Sequence, residues 1–209
     1  MRDTTPFHPN PLLLIWENDA LRACRLDQKQ SWLVGDNTAD IGISALPSGF
    51  RYGVFREVEG EWFYIDDPAN SGLTLLNGRP LPRPLRGIRQ PVPLDSGTVL
   101  RITGQAKDAA VMLFLSGHPA DEWTYHPLSR REATRVGGSG ILPPTENAPA
   151  AITYLNAQFY LSAGEGEMSL RFNRGRMPES AVLRDGDCIS SEKMTMYFGG
   201  GVLFCFRGG

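Results

Sequence analysis

The sequence is poor in the residues that carry chemistry. Its 209 residues include three histidines and three cysteines, and neither set has the spacing of a metal or redox site. Cys24, Cys188 and Cys205 lie far apart with no Cys-x-x-Cys pair. Two readings are open for them, buried reduced thiols or a disulfide pair. His118-Pro119 and His126-Pro127 stand where no helix would set them at ligand spacing. A Gly-x-x-x-x-Gly-Lys-Ser/Thr loop is missing from the sequence, which excludes a P-loop nucleotide site in this segment. An excess of one charge is also missing. Lysine plus arginine number 21 against 23 for aspartate plus glutamate, so no overall field draws the chain to nucleic acid or anionic lipid. Nowhere do about 20 apolar residues run together as a membrane span requires. Leu12–Trp16 is interrupted at once by Glu17-Asn18-Asp19, which marks a strand and not a signal peptide. A cytoplasmic segment with no membrane contact of its own is expected.

What the sequence does contain is short β-type runs separated by turn signals, at the spacing of a sandwich or barrel. Strands are expected at Leu12–Trp16, Leu21–Leu26, Ser31–Val34, Ile41–Ile43, Tyr52–Val58, Trp62–Asp66, Leu73–Leu76, Val99–Thr103 and Val111–Leu115. Glu59-Gly60 and Asn77-Gly78 read as tight hairpin turns. The prolines of Pro80–Pro93 remove ladder donors, so that piece cannot be central sheet. Patterning weakens from Gly117 to Arg131 and then resumes with Ala133–Val136, Ala151–Leu155, Gln158–Ser162, Met168–Phe172, Cys188–Ser190, Met194–Phe198 and Val202–Phe206, with Asn156-Ala157 as a further hairpin turn.

The two halves echo one another in order. Val34-Gly35 corresponds to Val136-Gly137, Leu76-Asn77-Gly78-Arg79-Pro80 to Phe172-Asn173-Arg174-Gly175-Arg176-Met177-Pro178, and Leu94–Leu100 to Leu183–Ile189. The expected fold class is all-β: two tandem β-sandwiches over 1–117 and 118–209, the second more degenerate. The boundary stretch Gly117–Arg131 is expected to act as a bulky linker, with Trp123 as an interdomain wedge.

Residues 12–116 carry Gly35-Asp36, Asp40-Ile41-Gly42-Ile43, Ser48-Gly49-Phe50-Arg51, Leu76-Asn77-Gly78 and Leu94-Asp95-Ser96-Gly97. This ordered set resembles forkhead-associated (FHA) domains, β-sandwiches with a Gly-Arg turn, a Ser-x-x-His turn and an Asn-Gly turn. A degenerate pair of them resembles the N-terminal cytosolic region of the EssC-type membrane ATPases of type VII secretion systems. On that resemblance the chain is an excised head, and Phe206-Arg207-Gly208-Gly209 just after a strand fits a cut at a domain edge.

The family binds phosphothreonine through charge-assisted hydrogen bonds from an arginine, a serine and polar residues near the Asn-Gly turn. The resemblance places Asp36, Ser48, Arg51, Asn70, Ser71 and Asn77 on the phosphopeptide face. Asp36 stands where the arginine would be and would repel a phosphate dianion. Ser48 is kept, Arg51 takes the histidine position, and Asn70-Ser71-Gly72 departs from the family's Ser-Thr-Asn. In the second half Gly138 replaces the arginine, and Arg135 precedes the glycine on the strand.

Other constellations are weaker. Gly137–Gly140 could form an anion nest but reads as a turn. Asp66-Asp67 and Asp185-Gly186-Asp187 do not supply the roughly six to eight oxygens of a calcium site. Trp62-Phe63-Tyr64 lacks the interleaved basic residues of a stacking platform and reads as core and sheet face. The basic stretch Arg79–Arg86 reads as an extended exposed loop. No cofactor, no metal and no catalytic set are expected. The function expected is a phospho-independent scaffold that binds protein partners such as secretion-machinery subunits; the alternative is a phosphothreonine-peptide adaptor.

Overall fold

The computed structural model describes residues 11–68, 73–81, 89–103, 108–118, 122–136, 141, 150–164 and 170–207. Among them there is no helix. Packing divides the chain into two units, Met1–Ala120 and Asp121–Gly209.

The first unit contains β1 (Leu12–Glu17), β2 (Ala20–Arg25), β3 (Ser31–Gly35), β4 (Ile41–Gly42), β5 (Arg51–Val58), β6 (Glu61–Asp66), β7 (Leu73–Leu76), β8 (Arg79–Pro80), β9 (Val92–Pro93), β10 (Thr98–Thr103) and β11 (Asp108–Leu115). They form an antiparallel sheet in the order β2-β1-β11-β10-β7-β8 and a mixed sheet in the order β4-β3-β5-β6-β9, in which β4 runs parallel to β3. Alternation, shifted once by an irregularity at Tyr52 in β5, sets which residues meet in the core. Leu13 and Ile15 from β1, Tyr52 and Phe55 from β5, Tyr64 from β6, Leu100 and Ile102 from β10, and Met112 and Phe114 from β11 all pack in one buried cluster. Each such side chain contributes about 1.5–3 kcal/mol by leaving water. The two described ends of the proline-rich stretch, β8 and β9, lie at sheet edges, where a missing N–H breaks no ladder.

The second unit contains β12 (Trp123–Pro127), β13 (Thr134–Arg135), β14 (Ala150–Leu155), β15 (Gln158–Ala163), β16 (Arg171–Phe172), β17 (Gly175–Arg176), β18 (Ser180–Val182), β19 (Cys188–Ser190), β20 (Met194–Gly199) and β21 (Val202–Arg207). Its sheets run β12-β21-β20-β19-β16-β17 and β13-β14-β15-β18. Its core gathers Ile152, Leu161, Ile189, Met196, Phe198, Leu203 and Cys205.

The two units repeat the same hydrogen bonds at matching places. Gly97 N–H donates to Phe114 O at 2.8 Å, as Gly186 N–H does to Phe198 O at 2.9 Å. Leu94 N–H donates to Trp62 O at 2.9 Å, as Leu183 N–H does to Phe159 O at 2.8 Å. One strand breaks the correspondence. The place beside β11 is filled by the N-terminal β1, whereas the place beside β20 is filled by the C-terminal β21. In the first unit β1 turns into β2 through Asn18-Asp19, with φ of 49° and 58°; in the second, β20 turns into β21 through Gly200-Gly201, with φ of 58° and 87°. The second sheet is thus a circular permutation of the first.

This arrangement corrects the expectation of a linker across Gly117–Arg131. Trp123–Pro127 is a strand in register with β21, from Trp123 opposite Phe206 to Pro127 opposite Val202. The strand is at a sheet edge, so Pro127 is tolerated there and does not signal a break. Trp123 opens this strand and is not part of a linker; its ring lies 5.2 Å from that of Phe206 and 6.3 Å from that of Tyr197, on its own sheet.

Candidate functional site

The loops joining β3, β4 and β5 bring three of the sequence-selected residues to one end of the first unit. Asp36 follows β3 directly and is buried, 5% exposed. Its carboxylate accepts the Thr38 N–H at 3.0 Å, the Thr38 hydroxyl at 2.6 Å and the Gly49 N–H. Its own N–H donates to Phe50 O at 3.0 Å. The Thr38 hydroxyl, then the Thr38 and Gly49 amides, hold the Asp36 carboxyl below its ordinary value of 3.8. Asp36 is therefore a fixed anion that staples two loops together.

Ser48 is exposed in the tight turn Pro47–Phe50, closed by Phe50 N–H to Pro47 O at 3.2 Å with Gly49 at φ 78°. Arg51 opens β5 opposite Gly35 and is exposed. Asn77 belongs to a different turn, between β7 and β8. Its N–H donates to Val99 O and its Oδ1 accepts the Val99 N–H, both at 2.8 Å. That pair of bonds ties a hairpin to β10 and leaves Asn77 a structural part. Asn70 and Ser71 lie outside the described residues, as do Gly138, the Gly137–Gly140 turn and most of Arg79–Arg86. Arg135 is exposed on β13.

Two further carboxylates, missed in the sequence, pin the same loops. Asp40 accepts the Leu33 N–H at 3.0 Å and pairs with Lys29. The Lys29 ammonium first, then the Leu33 amide, holds its carboxyl below the ordinary value. Glu17 reaches across from β1 to accept the Ser44 N–H at 3.0 Å, and it pairs with Arg22 at 3.2 Å. Arg22 in turn donates to Gly42 O. The available signal was Asp36-Asn37-Thr38, an Asp followed two residues later by a hydroxyl, which suits a local side-chain-to-backbone turn. Nothing in the sequence showed that Glu17 would reach Ser44.

The remaining candidates are structural. Asp66 accepts the Thr74 hydroxyl at 2.9 Å and lies 3.5 Å from the Arg89 guanidinium. Asp187 accepts the Arg184 N–H at 2.7 Å and the Asn173 side-chain amide at 2.8 Å, and Asp185 accepts the Gly200 N–H at 2.9 Å. Among the described residues no group of histidine, cysteine and carboxylate side chains could hold a metal ion. Trp62 packs toward the core with its ring 6.2 Å from that of Phe114, and Tyr64 meets Phe55 edge-on at 5.3 Å. All three cysteines are free. Burial pushes the Cys205 thiol up to about 12 and raises Cys24 and Cys188.

No family model and no curated protein matches the chain. Structures of FHA domains are among those it is similar to. The N-terminal FHA domain of EssC, a component of the bacterial type VII secretion apparatus, aligns over 94% of this chain and 92% of its own, at 11% identity and a TM-score of 0.36. The FHA domain of CT664 from Chlamydia trachomatis aligns over 51% of this chain and 96% of its own, at 17% identity and a TM-score of 0.37. Full-length yeast Pml1p aligns over 51% of this chain and 81% of its own, at 24% identity and a TM-score of 0.42. No helix among the described residues is long and apolar enough to cross a membrane.

Proposed function

We propose that the chain is a tandem FHA-like module that binds proteins without reading phosphate, and that it forms the regulatory head of a type VII secretion ATPase. The observation that carries the first part is the Asp36 carboxylate, which already takes the Thr38 and Gly49 donors of the loop face. A phosphate dianion brought to this face meets a fixed negative charge and finds those two amides spent. With Asp36, Asp40 and Glu17 each anchoring backbone N–H groups, the loops are preorganised. A rigid loop face suits a scaffold, because little conformational entropy is lost when a partner docks. The secretion assignment rests on the order of turn motifs along the sequence; membrane spans and P-loops encoded beyond Gly209 would support it, and a stop codon there would end it.

The second reading is a phosphothreonine-peptide adaptor. It is favoured by the exposure of Ser48 and Arg51 beside the stapled turn. Titration with a phosphothreonine peptide library separates the two readings. The scaffold reading expects binding no tighter than about millimolar, unchanged by Ser48→Ala or Arg51→Ala. Micromolar binding selective over the unphosphorylated peptides, and abolished by either substitution, would establish the adaptor instead.

A further inference from the structure

The β16–β17 hairpin of the second unit carries an arginine cluster whose geometry is unfavourable for the fold by itself. Arg171 and Arg176 sit directly opposite one another in the antiparallel register. Like charges in that position destabilise a strand pair. Arg174 occupies the turn at φ 65°, a conformation that a residue with a side chain adopts at a cost. All three arginines are exposed, and none has an ion-pair partner among the described residues.

The matching hairpin of the first unit shows that the fold does not need them. Asn173 repeats the bonds of Asn77, donating to Cys188 O and accepting the Cys188 N–H, both at 2.8 Å. Counting from that shared asparagine, Arg171, Arg174 and Arg176 stand where the first unit has Leu75, Gly78 and Pro80, and Leu75 is likewise opposite Pro80. The arginines are therefore particular to the second unit.

They line a cleft of about 730 Å³ together with Ser190, Ser191 and Glu192. Ser190 lies next to Arg171 in the register. Ser191 Oγ accepts the Lys193 and Met194 N–H groups at 3.3 and 3.1 Å, which leaves its hydroxyl hydrogen free to donate. Apart from the Glu192 carboxylate, the polar side chains of the cleft offer donors. Strand β17 is also the edge of its sheet, with one row of backbone groups open to an added strand.

We propose that this cleft docks an extended, carboxylate-rich segment of a protein partner, lying along β17 with its acidic side chains toward Arg171, Arg174 and Arg176. The proposal rests on reading the chain as a protein-binding module, and it uses a surface separate from the Asp36 face. Alternation in an extended strand brings every second side chain to one face, so the probe is a fluorescein-labelled peptide of alternating glutamate and valine, titrated into the full chain by fluorescence anisotropy.

Saturable binding is expected, and Arg171→Ala with Arg176→Ala should weaken it about tenfold, the loss of one or two charge-assisted contacts. Arg174→Gly should also weaken it while the melting temperature holds or rises, which rules out unfolding as the cause. No binding, binding equally strong in these variants, or an equal loss on Arg25→Ala with Arg56→Ala in the first unit would overturn the proposal. So would displacement of the peptide by an equal concentration of inorganic phosphate, which would mark a small-oxyanion site. Phosphothreonine binding at the first unit would sink the scaffold reading and leave this result untouched, so the two failures are distinguishable.

Discussion

At the scale of single residues, Asp36 decides how the loop face behaves. Both Asp36 and Asp40 titrate below their ordinary 3.8 in the folded chain, so each favours folding while ionised. That stability is present above pH 3.8 and is lost as the pH falls through the lowered values. Asp36→Ala is therefore expected to lower the urea midpoint of the first unit at neutral pH, with the gap to the unsubstituted chain closing in acid. A gap of the same size at all pH values would show that the carboxylate charge is not what holds the loops. The cysteines give a second test at this scale. With the Cys205 thiol pushed up to about 12 and the other two raised, little thiolate exists near pH 8. The native chain should react slowly with a disulfide reagent and quickly once unfolded. Rapid reaction of native Cys205 would contradict its burial.

At the scale of elements, the hairpins were legible and the interlocks between them were not. Glu59-Gly60, Asn77-Gly78 and Asn156-Ala157 all take the positive φ expected of tight turns; glycine and asparagine tolerate that geometry, and Glu59 and Ala157 adopt it beside them because the two-residue hairpin requires it. The expected strands from Leu12 to Leu115 agree with the observed ones to within a few residues. Trp123–Pro127 was misread because proline and histidine dilute its alternation, and only the pairing with β21 reveals it. The permuted place of β21 was equally hidden, since a strand's neighbours are set by long-range pairing that no local pattern encodes. Gly53 is a further example. A methyl group there would lie 2.4 Å from Tyr64 Oη and 2.6 Å from Ile65 O. Gly53→Ala is expected to destabilise the chain by about 1–3 kcal/mol through overpacking, visible in thermal melts; a melt within error of the parent would mean the β5–β6 pair can part to admit a methyl. Asn77→Ala and Asn173→Ala each strand a backbone N–H that the asparagine side chain now accepts. Each should cost about 1–3 kcal/mol. If only one of the two does, the matching hydrogen bonds are not matched in energy.

At the scale of the whole molecule, the turn motifs carried the all-β fold class, and the repeated order pointed to two copies of one β fold. Of the candidate positions, Asp36, Ser48 and Arg51 come to one end of the first unit, Asn77 belongs to another turn, and the role of Asp36 was not legible. Asp36 looked like a missing arginine with a repulsive charge, whereas the structure gives the carboxylate three donors and a stapling role. Boundary placement stays a proposal to be met by limited proteolysis. Cleavage is expected first just before Trp123, which begins a paired strand, and it should leave two folded pieces; a single resistant core would refute two independent units. The most direct test of the phosphate-independent reading follows the Thr38 and Gly49 amide resonances by NMR while a phosphothreonine peptide is added. With both amides already donating to Asp36, their shifts should stay unchanged up to about millimolar peptide, and saturable movement of either at micromolar concentrations would contradict a face closed by its own carboxylate.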